Sequence, residues 1–202
     1  MHEKPSIPAA FIFRQSPDCR RRGKAYGEAL GILRKLAERN PDTYLRDVAT
    51  TLNNLGNLAL DEDRKSEARK AYEEALGIRR RLAEPNPDTY LPYVATTLNN
   101  LGILDAGENL KAEARKAFEE ALGIRRKLAE HNPDAYLPKL ANVLINLGFL
   151  DASEDRKTEA HKAYVEALNI YESLAKQDPS KFADDVRRVR NLLDMLKKSE
   201  QE

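Results

Sequence analysis

The side chains in this sequence best suited to recognition are carboxamides. Asn53-Asn54 and Asn99-Asn100 sit in two identical pentapeptides, Leu52–Gly56 and Leu98–Gly102, and Asn146 lies in an altered third copy, Leu144–Gly148. A carboxamide carries both a donor and an acceptor, so it can hold an extended peptide backbone bidentately whatever that peptide's side chains are. The rest of the inventory argues against reaction chemistry. His2, His131 and His161 are scattered, without a nearby nucleophile or paired ligand, and there is neither a phosphate-cradling glycine loop nor a catalytic pairing. The acidic segments, such as Asp61-Glu62-Asp63, lack the glycine-centred loop with alternating oxygen ligands that calcium needs. The lone Cys19 excludes an internal disulfide framework and any multi-cysteine metal site, and reads as a partly buried small side chain. No metal, no cofactor and no enzymatic activity are expected.

Charge is equally uninformative about polyanions. The 34 basic and 33 acidic residues leave a net charge of +1, which gives no electrostatic footprint for nucleic acid or membrane. The basic runs Arg79-Arg80-Arg81 and Arg125-Arg126-Lys127 are followed or preceded on the same helices by Glu73, Glu74, Glu119 and Glu120, and read as a solvated mixed-charge face. No segment approaches the roughly 18–20 apolar residues of a membrane helix. A reducing, cytoplasmic setting is expected from the cysteine content.

These residues are positioned by a repeat. The motif recurs every 46 residues, and Asn40-Pro41, Asn86-Pro87, Asn132-Pro133 and Asp178-Pro179 keep the same register, as do Tyr44, Tyr90, Tyr136 and Phe182. A fixed period of this size marks a solenoid, in which each unit buries its apolar face against its neighbours. Each Asn-Pro-Asp start offers an N-cap, a proline at the first helical position and an acid at the positive end of the helix dipole. This predicts a first helix, helix A, from about Pro41 to Leu60, with copies beginning at Pro87 and Pro133. Pro92 and Pro138 fall five residues further on, so that either the first turn is a separate short helix or the long helix is kinked there. Helix B follows over about 65–84, 111–130 and 157–176, with an apolar stripe at Ala68, Ala71, Tyr72, Ala75, Leu76 and Leu82. Small residues at Gly56, Ala68 and Ala75 let two helices approach closely while Tyr72 fills the space between pairs.

The expected organisation is an irregular apolar tail over residues 1–15, then one array over 16–202. The array comprises a half repeat carrying helix B alone (16–39), full repeats over 40–85, 86–131 and 132–177, and a polar capping helix over 178–202, where Asp194 replaces the motif glycine. The fold class is all-α, a right-handed α-solenoid of antiparallel helix pairs.

The motif residues resemble the tetratricopeptide repeat (TPR), whose helix pair carries Leu-Gly in the first helix and Ala, an aromatic and Ala in the second. Here these are Leu55-Gly56, Ala68, Tyr72 and Ala75; Leu101-Gly102, Ala114, Phe118 and Ala121; and Leu147-Gly148, Ala160, Tyr164 and Ala167. The unit is twelve residues longer than usual, and Leu52, Leu98 and Leu144 replace the large aromatic of helix A. The longer units, with an Ala-Leu-x-Ile-Arg helix end (Ala75–Arg79) and a Val-Ala-x-x-Leu-Asn-Asn-Leu helix start (Val48–Leu55), resemble the long repeats of kinesin light chains. The resemblance implies that helix A lines a concave groove, which would be lined by Thr50, Asn53, Asn54 and Asn57, then Thr96, Asn99, Asn100 and Ile103, then Asn142, Ile145, Asn146 and Phe149. The amides would hold a peptide backbone, while Ile103, Ile145 and Phe149 would take its apolar side chains. One asparagine of each pair (Asn54, Asn100, Asn146) has the alternative of bonding neighbouring repeats together. The implied function is a non-catalytic protein–protein interaction scaffold, an adaptor for an extended peptide or a partner helix, without nucleic-acid or membrane partners. The competing reading is a homo-oligomer assembled through the tail or the array ends. The lysine-and-arginine grip on a terminal carboxylate found in some members has no basic residue at Asn53, Asn57, Asn100, Asn142 or Asn146.

Overall fold

The computed structural model describes residues 17–199, and side-chain surroundings from Arg21 onward. The tail over 1–15, Ser16 and Cys19 lie outside the residues so described. Among the described residues eight helices follow one another: α1 (Pro17–Arg39), α2 (Pro41–Asp61), α3 (Lys65–Ala83), α4 (Pro87–Gly107), α5 (Lys111–His131), α6 (Pro133–Ser153), α7 (Lys157–Gln177) and α8 (Pro179–Lys198). The described residues contain no strand. The chain divides into two compact units, residues 1–78 and 79–202.

The helix starts follow from their caps. Asn40 Oδ1 accepts from Thr43 N at 3.3 Å, Asn132 Oδ1 from Ala135 N at 3.2 Å and Asp178 Oδ1 from Lys181 N at 3.1 Å. Each satisfies one of the amides that the first turn leaves without an intrahelical acceptor. Asn86 makes no such side-chain bond. Pro92 and Pro138 lie inside α4 and α6, which run as continuous helices, so no separate short helix forms. Each proline is the sixth residue of its helix and removes one backbone bond near its start.

The ends of the A helices are equally regular. Asp63, Asn109 and Asp155, 46 residues apart, take φ of 57°, 62° and 59°. In that left-handed conformation the next amide reaches back five residues, with Arg64 N to Ala59 O at 2.7 Å, Leu110 N to Asp105 O at 2.8 Å and Arg156 N to Asp151 O at 2.9 Å. Carbonyls orphaned at the helix end are thereby satisfied, and short polar Asn and Asp tolerate the conformation better than other non-glycine residues.

In the first unit Leu30, Val48, Ala49, Leu52 and Ala75 form the core, with Leu33, Ala37, Leu55, Ala71 and Ile78 against it. A Cβ added at Gly56 would sit 2.5 Å from the Tyr72 ring, whose side chain is 1% exposed. The second unit repeats this contact twice: Gly102 would meet Phe118 at 2.6 Å and Gly148 would meet Tyr164 at 2.5 Å. In the same unit α4 packs on α5, α5 on α6, α6 on α7 and α7 on α8. α8 buries Phe182, Val186, Val189, Leu192, Leu193 and Leu196 and leaves Arg187, Arg190 and Asp194 exposed.

The left-handed position gives a direct test. Asn109→Gly should leave stability unchanged or raise it by up to about 1 kcal/mol, and Asn109→Val should lower it by about 1–2 kcal/mol, because only the branched side chain collides with its own backbone there. Urea unfolding of the two variants checks the opposite signs.

Candidate functional site

Residues three, four and seven apart share a helix face, which places Tyr93, Thr96, Asn100 and Ile103 on one side of α4. The 46-residue register carries the same positions to Lys139, Asn142, Asn146 and Phe149 on α6, and to Asp185, Arg188, Leu192 and Met195 on α8. Within the second unit these faces adjoin. Asn146 Nδ2 donates to Asn99 Oδ1 at 2.9 Å, joining α6 to α4, and Arg188 Nη2 donates to Asn142 Oδ1 at 3.0 Å, joining α8 to α6. Ile103 (42% exposed) and Met195 (52%) stand open at equivalent positions, with half-buried Phe149 between them in the register. The Phe149 ring packs edge-on against Tyr164 at 5.8 Å. An open cleft continues along α8, lined by Asp184, Arg187, Arg188, Asn191, Leu192 and Met195.

The groove residues expected from the sequence have different surroundings. Asn99, Asn100 and Asn146 are half-buried and Asn142 is exposed, whereas Ile145 is only 4% exposed and belongs to the interior of α6. Asn142 Oδ1 also accepts from Tyr171 OH at 3.1 Å, and Thr96 Oγ1 donates to Pro92 O at 2.9 Å. In the first unit Asn53 is 5% exposed, Asn54 is half-buried, and Thr50 is exposed with its hydroxyl donating to Arg46 O at 2.9 Å. Asn57 Oδ1 accepts from Tyr72 OH at 2.8 Å, a phenol whose pKa burial pushes far above its ordinary value.

Two strongly perturbed groups lie where the sequence suggested a solvated basic stripe. Arg79 and Arg125 are each 4% exposed, and desolvation lowers their pKa to about 10, which leaves both charged at neutral pH. Arg79 Nη1 donates to Thr97 Oγ1 and, at 3.1 Å, to Tyr93 O, with its guanidinium 5.6 Å from the Tyr93 ring. Arg125 Nη2 donates to Thr96 Oγ1 at 2.7 Å, but its Nε and Nη1 are buried without any acceptor. The neighbouring arginines do face solvent, and Arg80 and Arg126 are neutralised by Glu120 at 2.7 Å and Glu166 at 3.0 Å. The missed signal was spacing. Arg79 falls four residues after Ala75 and three before Leu82, on the apolar stripe itself. The Lys139 and Arg188 positions change residue type along the repeats, as Asp47, Tyr93, Lys139, Asp185 and Thr50, Thr96, Asn142, Arg188, while Tyr136 keeps the register of Tyr44 and Tyr90 and reads from sequence only as part of the repeat.

A sequence model of the tetratricopeptide repeat matches residues 48–88 and 94–134, two consecutive copies in the same register. The repeats of this chain are of the tetratricopeptide type. The helical fold is shared more widely: the chain is similar to the crystal structure of BtubC (BKLC) from P. vanneervenii, with a TM-score of 0.68 and 21% identity, over 93% of this chain and 68% of that one. At that identity the likeness establishes the all-α solenoid fold alone. No curated protein matches the sequence. No helix among the described residues is long and apolar enough to cross a membrane, and those residues contain no cluster of three or more His, Cys, Asp or Glu able to hold a metal.

A buried arginine with unsatisfied donors costs stability, because desolvation is not offset by a counter-charge. Arg125→Met should therefore raise the unfolding free energy, by about 1–4 kcal/mol. Arg79→Met should gain less, since Arg79 has hydrogen bonds to Thr97 Oγ1 and Tyr93 O to lose. Thermal and urea unfolding of the pair tests this ranking.

Proposed function

We propose that this TPR protein is a non-catalytic interaction scaffold that takes an extended peptide or a partner helix on the α4–α6–α8 face of its second unit. Tetratricopeptide repeats as a class mediate protein–protein interaction. The observation that carries the reading is the row Ile103, Phe149 and Met195, two of whose members are exposed large apolar side chains at equivalent positions. Single exposed apolar residues are ordinary on a protein surface, but a row in register beside a polar row is the pattern of a recognition surface. The polar row is Thr96, Asn142 and Arg188, with Asn99, Asn100 and Asn146 between the two rows offering amide donors and acceptors to a peptide backbone. Because these side chains stand on helices fixed by interior packing, the protein gives up little entropy on binding.

On the same reading Asn53 and Ile145 support the helices from inside, and the α2 positions Thr50, Asn54 and Asn57 offer an equivalent amide-rich face on the first unit.

A peptide-array screen of the wild type and of an Ile103→Glu/Met195→Glu variant tests the assignment. Both sites are solvent-exposed, so helical circular dichroism should be unchanged while captured peptides are lost or weakened by tenfold or more, about 1.4 kcal/mol. Equal binding by the variant, or no peptide captured by either protein, would contradict the reading.

A further inference from the structure

The 46-residue register allows the same interior position to be compared at successive levels of the second unit. Where Arg79 faces Tyr93 and Thr97, the next level has Arg125 facing Lys139 and Val143, and the one after has Tyr171 with Asp185 and Val189. At the first level the guanidinium has a hydroxyl, a carbonyl and an aromatic ring as partners. At the third a phenol donates to Asn142 Oδ1 and Pro138 O, and Asp185 pairs with Arg188 at 3.0 Å. Only the middle level exchanges both kinds of partner for less compatible ones: a threonine hydroxyl becomes a valine, and a tyrosine becomes a second cation.

The consequence is a local excess of positive charge. Among the described residues neither Arg125 nor Lys139 forms an ion pair, and their mutual repulsion adds to desolvation in lowering the Lys139 pKa. The Tyr136 ring is near both, 6.0 Å from the Arg125 guanidinium and 5.4 Å from Lys139 Nζ. Among the described residues Arg125 bonds Thr96 on the α4 face through Nη2, while its Nε and Nη1 are buried without an acceptor and half-buried Tyr136 and exposed Lys139 stand beside it.

We propose that Arg125, Lys139 and Thr96 form a subsite for a phosphoryl group carried by the peptide bound on this face, with Tyr136 turning aside to admit it. This rests on the α4–α6–α8 reading above. Charge and shape select the ligand. A phosphomonoester carries about −1.5 to −2 at neutral pH and has three acceptor oxygens, which matches two uncompensated cations. The unsatisfied Nε and Nη1 lie on different edges of the guanidinium, and an anion on either edge serves one of them; a carboxylate spends both its oxygens there, whereas a phosphoryl group has a third oxygen to offer Lys139. A stability cost retained in the interior is also the expected mark of a site rather than of a packing solution.

The experiment follows the Arg125 Nε–H resonance by 1H–15N NMR during titration with inorganic phosphate, and separately with acetate, at constant ionic strength set with sodium chloride. Arg125→Met assigns the signal and the Arg79 Nε–H serves as the internal control. The expected result is a saturable Arg125 shift with phosphate, a response to acetate about tenfold weaker, an unmoved Arg79, and loss of about tenfold in phosphate affinity in Lys139→Gln. No saturable shift, an equal response to acetate, or an unaffected Lys139→Gln would overturn the phosphoryl subsite. Phosphate capture without any peptide on the face would contradict only the peptide reading. Peptide capture with a silent Arg125 would contradict only this inference.

Discussion

The contact on which each helix pair depends is a glycine facing the edge of an aromatic ring. Gly56 against Tyr72, Gly102 against Phe118 and Gly148 against Tyr164 leave no room for even a single added carbon. The rings are almost fully enclosed, and Ala68, Ala75 and their equivalents in α5 and α7 are fully buried. Interiors packed this tightly resist a change of one methylene, so helix A cannot rotate about its own axis without driving its backbone into the ring. Everything else about helix A then follows from its helical period: Leu52, Leu98 and Leu144 go inward, and the positions two or five residues away, on the opposite side of the cylinder, are left for water or a ligand.

That fixed rotation explains why the exposed face of the second unit mixes roles. Asn146 donates to Asn99, and Asn142 accepts from both Tyr171 and Arg188, so these amides hold neighbouring A helices together at the same surface they present to solvent. Their hydrogen-bonding capacity is not exhausted by those bonds, since each carboxamide has further donor or acceptor sites. Ile103 and Met195 carry no such structural duty and remain exposed. The buried arginines sit one layer deeper, where their cost is large enough that the identity of each facing residue decides whether the charge is accommodated, as at Arg79, or left unsatisfied, as at Arg125.

The helices were legible almost to the residue because their punctuation is strong. Asn-Pro-Asp marks each A-helix start, and an Asp or Asn able to adopt positive φ marks its end. The close approach at Gly56, Gly102 and Gly148 was legible too, since glycine opposite a large aromatic in register has few other readings. The groove was harder. Asn53, Asn99 and Ile145 occupy one position of the repeat, yet Asn53 and Ile145 are buried and Asn99 is half-buried, because their local neighbours differ. The charge of the runs Arg79-Arg80-Arg81 and Arg125-Arg126-Lys127 predicts a solvent-facing position, but the phase of Arg79 relative to Ala75 and Leu82, and of Arg125 relative to Ala121 and Leu128, puts both on the buried stripe. Met195 was passed over because the polar surface of α8 suggested only a cap, although it stands at the position of Ile103 and Phe149.

The central claim is that steric closure between the glycine and the ring sets the orientation of helix A. A double-mutant cycle measures it directly, by urea unfolding of Gly102→Ala, Phe118→Leu and the combination. If the ring is the obstacle, the added methyl should be costly beside Phe118 and much cheaper beside leucine, with a coupling energy of about 1–3 kcal/mol. Costs that simply add, to within about 0.5 kcal/mol, would mean that the glycine is required for some other reason and would contradict the account.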